Sequence, residues 1–126
     1  MINEELRESC FGRVTDEKAR RVYDLICDAC ETRENGMTDA DQMLVGDYAY
    51  AEQIKQMLQD DIAERGLGQE RSNGRQRYWQ ENKSPAQFRA YCEQQRKILA
   101  ELRLTPAGRK AEKVDLGGDD FDDFPD

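Results

Sequence analysis

A chain of 126 residues with 37% hydrophobic and 37% charged residues has material for one modest core and not for two, and a core this lean often completes itself by oligomerising. It carries 19 Lys+Arg against 27 Asp+Glu and no histidine, for a formal net charge of −8, so a Cys/His metal site has no imidazole to complete it. No run approaches the roughly 18 apolar residues of a membrane span, and Met1-Ile2-Asn3-Glu4-Glu5 is acidic where a signal peptide would be basic and then apolar, which predicts a cytoplasmic protein.

Residues 1–14 have no clear period and are expected to form a flexible N-terminal arm. Thr15 is the expected N-cap of the first helix, with Asp16 and Glu17 in its electropositive first turn. Ala19, Val22, Tyr23, Ile26, Cys27 and Cys30 then recur at helical spacing, up to a stop near Gly36. Thr38 and Asp41 make a capping-box pair with Asp in place of Glu, and Leu44, Tyr48, Ala51, Ile54, Leu58 and Ile62 mark a long second helix that stops at Gly66. The short connection "ENGMT" implies an antiparallel helical hairpin.

Cys27 and Cys30 form a C-x-x-C, which elsewhere signals a redox pair or half a zinc site. Here both fall on the apolar face of the first helix, and Cys10 and Cys92 are singletons. Reduced thiols packed as small hydrophobes are therefore the expectation, with a metal or redox pair as the alternative. No cofactor is expected.

In "GLGQERSNGRQRYWQENK" the Asn73-Gly74 step is a type I′ signal between short polar strands, predicting a projecting β-hairpin or loop near residues 67–80. Ser84 is the expected cap of a third helix with Pro85 at its first position and Phe88, Tyr91, Cys92, Gln95, Ile98, Leu99 and Leu102 along its stripe. Thr105-Pro106 restarts a short helix, and the glycine-rich acidic stretch from Asp115 is expected to be disordered. The fold class is thus all-α: a small helical bundle over residues 15–113 that oligomerises and carries the binding surface, with the arm 1–14 before it and the acidic tail 114–126 after it.

Charge is segregated along the chain. Residues 1–64 hold 7 Lys+Arg against 16 Asp+Glu (−9), residues 65–113 hold 12 against 5 (+7), and residues 114–126 hold 0 against 6 (−6). Cations neutralise phosphates with release of counterions, and Tyr78 and Trp79, beside the hairpin arginines, could stack on bases. Arg89, Arg96 and Lys97 fit better as the solvated outer face of the third helix.

The stretches "GMTDADQMLVGDYAYAEQ" and "ILAELRLTPAGRKA" before an acidic "DDFDDF" resemble the phage terminase small subunits, above all in Leu102, Leu104, Thr105, Pro106 and Arg109, which match an L-x-L-T-P-x-x-R turn. The likeness runs from about Thr15 to Phe124, and Asn82-Lys83-Ser84-Pro85-Ala86 departs from the Asn-Pro-Ala that family members often have after the hairpin. The resemblance implies a non-catalytic subunit that assembles as a closed ring, binds double-stranded viral DNA and regulates a large subunit carrying the ATPase and nuclease, in the cytoplasm of an infected bacterial host. In agreement, the sequence has no G-x-x-x-x-G-K-[ST] phosphate loop. Arg71, Arg75, Arg77, Lys83, Arg109, Lys110 and Lys113 are the candidate DNA-binding residues, and Phe121 and Phe124 the candidate anchors to the large subunit. The tail could instead be a solubilising or DNA-mimicking segment. The alternative to the whole reading is a small acidic adaptor or antirepressor that binds a host protein and not DNA, its basic segment pairing with the acidic half inside the bundle.

Overall fold

The computed structural model describes residues 2–105. In chain order these form α1 (Glu4–Arg13), α2 (Glu17–Glu31), α3 (Asp39–Arg65), β1 (Gly68–Asn73), β2 (Gln76–Glu81) and α4 (Ser84–Glu101), so the expected all-α bundle is joined by one two-stranded hairpin. The short helix expected after Thr105-Pro106 and the acidic tail lie outside the described residues. No helix among the described residues is long and apolar enough to cross a membrane.

The arm expected over residues 1–14 is corrected: Glu4–Arg13 is a helix, and it is docked. The Asn3 side chain caps it by accepting from the Glu5 and Leu6 N–H groups at 3.0 and 3.3 Å. Gln42 of α3 then clamps the Asn3 backbone from both sides, accepting from its N–H at 2.9 Å and donating to its carbonyl at 2.8 Å. Arg7 forks onto Asp24 of α2 with two 3.0 Å bonds. Phe11 meets the Tyr23 ring edge-on at 5.3 Å, between the guanidinium groups of Arg7 and Arg20. Cys10 lies so close to Gly46 that a Cβ there would stand 3.2 Å from its sulfur.

The N-cap of α2 is Asp16 rather than Thr15, accepting from Ala19 N–H at 3.0 Å. Thr15 and Asp16 instead give their backbone N–H groups to Gln53 at 2.8 and 2.9 Å. The other end of the helix is held where Arg33 donates to Asp41 at 2.8 Å, so α2 and α3 are antiparallel. The capping box on Thr38 and Asp41 is present, and α3 stops at Gly66, whose φ of 68° suits glycine.

Val14, Ala19, Tyr23, Cys27, Cys30, Val45, Ala49, Ile98 and Leu102 form the core, which joins α2 to the first half of α3 and the last half of α4. The C-x-x-C thiols are core atoms: burial pushes Cys27 up to about 12 and raises Cys30 as well. Past Gln53, α3 pairs with the start of α4 as a two-helix stalk of about 18 Å, at 1.5 Å per residue, lined by the half-buried Ile54, Leu58, Ile62, Phe88 and Tyr91. Gln95 locks the base of this stalk by donating to the Tyr48 carbonyl and Glu52 and accepting from Lys55.

The leucine-rich turn has a clear structural meaning. Arg103 takes a left-handed φ of 59°, Leu104 N–H bonds the Leu99 carbonyl at 3.0 Å, and Arg103 N–H bonds that of Ala100 at 3.0 Å. This is a Schellman stop, closed here without glycine. It seals Leu102 in the core, turns Leu104 back against it, and leaves the Leu102 carbonyl to accept from Arg33.

Candidate nucleic-acid interface

β1 and β2 pair antiparallel from Gly68↔Glu81 to Asn73↔Gln76, and every strand residue is exposed except the half-buried Gly68. The loop is Gly74-Arg75, with φ of 66° at Gly74 and a positive φ nowhere else in it. Glycine first with positive φ defines type II′, so the turn sits one residue later than the type I′ turn expected on Asn73-Gly74.

Strand alternation sorts the hairpin into two unlike faces, since directly paired residues share a side. One face carries Gln69, Gln80, Arg71, Tyr78, Asn73 and Gln76: a cation, a phenol, four amides and no carboxylate. The other carries Gly68, Glu81, Glu70, Trp79, Ser72 and Arg77, where Arg77 lies 3.9 Å from Glu70. Trp79 is laid over the backbone at Gly68, where a Cβ would stand 2.5 Å from the ring, and it remains 63% exposed. That ring position is why the strand needs glycine there.

The hairpin arginines are therefore not one patch. Arg71 is on the carboxylate-free face, Arg77 on the other, and Arg75 at the tip; Lys83 is exposed at the root, beside the start of α4. Arg71, Arg75 and Lys83 take part in no ion pair with any described residue, and neither do Arg89 and Lys97 on α4. Arg109, Lys110, Lys113, Phe121 and Phe124 lie outside the described residues.

A polar hub that the sequence reading missed fixes the hairpin to the stalk. Asp61 accepts two bonds from Arg65, at 2.7 and 2.9 Å, one from the Ser84 hydroxyl at 2.6 Å and one from the Asn82 amide at 3.1 Å. Asn82 also donates to the Gly66 carbonyl at 2.8 Å and accepts from Ser84 N–H at 3.0 Å, while its own N–H bonds the Leu67 carbonyl at 2.9 Å. The Arg65 and Ser84 bonds, first of all, hold the Asp61 carboxyl well below the usual carboxylate range. Ser84 is thus not the N-cap expected: Lys83 occupies that position without a side-chain bond, and the Ser84 hydroxyl is spent on Asp61. The i,i+4 spacing of Asp61 and Arg65 was visible in the sequence; its closure through Asn82 was not.

The model of the family described as "Phage terminase, small subunit" matches residues 19–118. No curated protein and no solved structure matches the chain.

Proposed function

We propose that this chain, which belongs to the phage terminase small-subunit family, binds double-stranded viral DNA through its hairpin arm as part of a ring-like homo-oligomer and regulates the large subunit during genome packaging. The family is generally regulatory rather than catalytic, and DNA and the large subunit are the partners it implies. The observation that carries the DNA-binding step is the exposed hairpin, which holds Arg71 and Arg75 at the end of a stalk without ion-pair partners among the described residues. An arm that contributes so little to the core is a poor investment for folding and a good one for reaching a ligand. Arg75 at the tip and Lys83 at the root are placed for phosphates, and repetition around an oligomer would sum weak contacts by avidity. Arg109, Lys110 and Lys113 are proposed to extend the basic surface, and Phe121 and Phe124 to anchor the large subunit, all in the cytoplasm of the infected host.

The ion pairs argue against the adaptor alternative. Arg7–Asp24, Arg13–Asp47, Arg33–Asp41 and Lys55–Glu52 join residues of the acidic half to one another, and although Arg65 pairs with Asp61 and Arg77 with Glu70, Arg71 and Arg75 pair with no described residue. The test is Arg71→Glu/Arg75→Glu/Arg77→Glu in the full chain, with native mass measured alongside duplex binding. Abolished binding with an unchanged oligomer is expected, whereas undiminished binding at low salt would remove the hairpin from the mechanism.

A further inference from the structure

The sorting of hairpin side chains goes beyond phosphate contact. We propose that the face carrying Arg71 and Tyr78 reads base edges in the major groove of double-stranded DNA, giving the protein sequence preference through this ribbon. The inference rests on the proposed DNA-binding role of the same hairpin.

Three observations support it. First, a two-stranded ribbon fits dimensionally: the major groove is about 12 Å wide and admits either a helix or a β-ribbon. The hairpin meets no steric obstacle to entry, because its strands are exposed on both sides from tip to root. Second, the chemistry is divided by face. Glu70 and Glu81 both lie on the Trp79 side, where a carboxylate would repel the phosphate-lined groove, and Arg77 on that side is drawn towards Glu70. The Arg71 side holds no carboxylate, and its four amides are of the types that pair with adenine in bidentate fashion, as arginine does with guanine. Amides can hydrogen-bond phosphates but neutralise none of their charge, whereas the paired donor and acceptor of Gln69, Asn73, Gln76 and Gln80 around Arg71 match the paired acceptor and donor of a base edge. Third, the repeat matches. Successive pairs on one face of an antiparallel ribbon are two residues apart, about 6.8 Å, or about two base-pair steps. The pairs Gln69/Gln80, Arg71/Tyr78 and Asn73/Gln76 therefore span a site of about five base pairs when the ribbon lies along the groove.

The experiment is selection of bound duplexes from a pool with a randomised central segment, using the full-length protein, followed by titration of the enriched and a scrambled duplex over a salt series. Wild type should enrich a short motif. Gln69→Ala/Gln80→Ala should lose tenfold or more of the preference for that motif, while keeping affinity for scrambled duplex within about twofold and the same salt slope, since no charge is removed. Ser72→Ala, on the opposite face, should change neither. Because all of these positions are exposed, loss of the fold is not a competing explanation, and circular dichroism confirms it. If wild type binds duplexes but enriches no motif, or the double variant keeps its preference, base reading is overturned and phosphate binding stands. If wild type binds no duplex at any salt, the proposed DNA-binding role falls, and this inference with it.

Discussion

At one end of the α3–α4 pair, Tyr23, Cys27, Val45 and Leu102 have no exposed surface, and the Tyr23 hydroxyl is satisfied by Gln42 from another helix. At the other end, eleven of the twelve strand residues face solvent, and the hairpin, ordered by its own ladder, is tied to the stalk by the Asp61, Arg65, Asn82 and Ser84 hub. The first region is stabilised by removing apolar area from water; the second is positioned by directional polar bonds. The contrast implies that the arm can be altered without cost to the bundle, and that its orientation depends on a few named atoms.

The largest effect tests the buried end. Tyr23→Ala removes a fully buried ring, leaves Phe11 without its edge-on partner and takes one hydrogen bond from the Gln42 amide, so a loss of about 3–5 kcal/mol in chemical denaturation is expected. A loss below about 1 kcal/mol would mean that the core is not where the burial places it.

The pH windows of the two ends should also be opposite. Burial pushes the Tyr23 phenol up to about 12, so the fold favours the neutral form; that contribution is intact below the ordinary tyrosine value near 10 and is lost as pH rises towards 12. Asp61 is depressed, so its contribution is present above the ordinary carboxylate value and is lost only when pH falls through the lower folded value. Circular dichroism should therefore report weakening of the bundle between about pH 10 and 12, less steep in Tyr23→Phe. The fluorescence of Trp79, the single tryptophan, should report loosening of the root only in strong acid. Loosening of the root near pH 5 would contradict the hub.

Next in size, Asn82→Ala removes a buried amide that ties Asp61, Gly66 and Ser84 together, and a cost of about 1–3 kcal/mol is expected, expressed locally. Hydrogen exchange should rise across residues 66–84 while protection around Tyr23 and Val45 is retained. Equal loss of protection in both regions would erase the distinction between core and arm.

How far each region was legible follows from the same contrast. The stripes of α2 and α4, the capping box at Thr38 and the Gly66 stop are local patterns of short range, and periodicity exposes them; in α3 the expected Leu44 and Tyr48 are half-buried beside the core, and Val45 and Ala49, outside the expected stripe, fill it. The hairpin was legible through Asn73-Gly74, although positive φ at Gly74 alone moved the turn one residue on. α1 was not, because Leu6 and Cys10 are too few to make a stripe among Glu4, Glu5, Arg7 and Glu8. Its docking comes from Gln42 and Asp24, distant in sequence, whose bonds to Asn3 and Arg7 follow from tertiary structure alone. The hub and the sorting of charge between hairpin faces were hidden for a related reason: parity along a strand has meaning only once the register is known.

The smallest expected effect is also the one that separates folding from binding. Trp79 is the largest side chain on the arm, and in a core its removal would cost several kcal/mol. Here one side of the ring rests on Gly68 and most of it is in water, so Trp79→Ala should change global stability by less than about 0.5 kcal/mol. An isolated two-stranded hairpin is marginal in water, so the lost contact should instead appear as faster exchange at Gly68 and Gln80. Because Trp79 lies on the face opposite Arg71, duplex affinity should fall much less than in the arginine charge reversal. A global loss above about 2 kcal/mol would place Trp79 against the bundle, whereas collapse of duplex binding at unchanged stability would make its face, and not that of Arg71, the one that meets DNA.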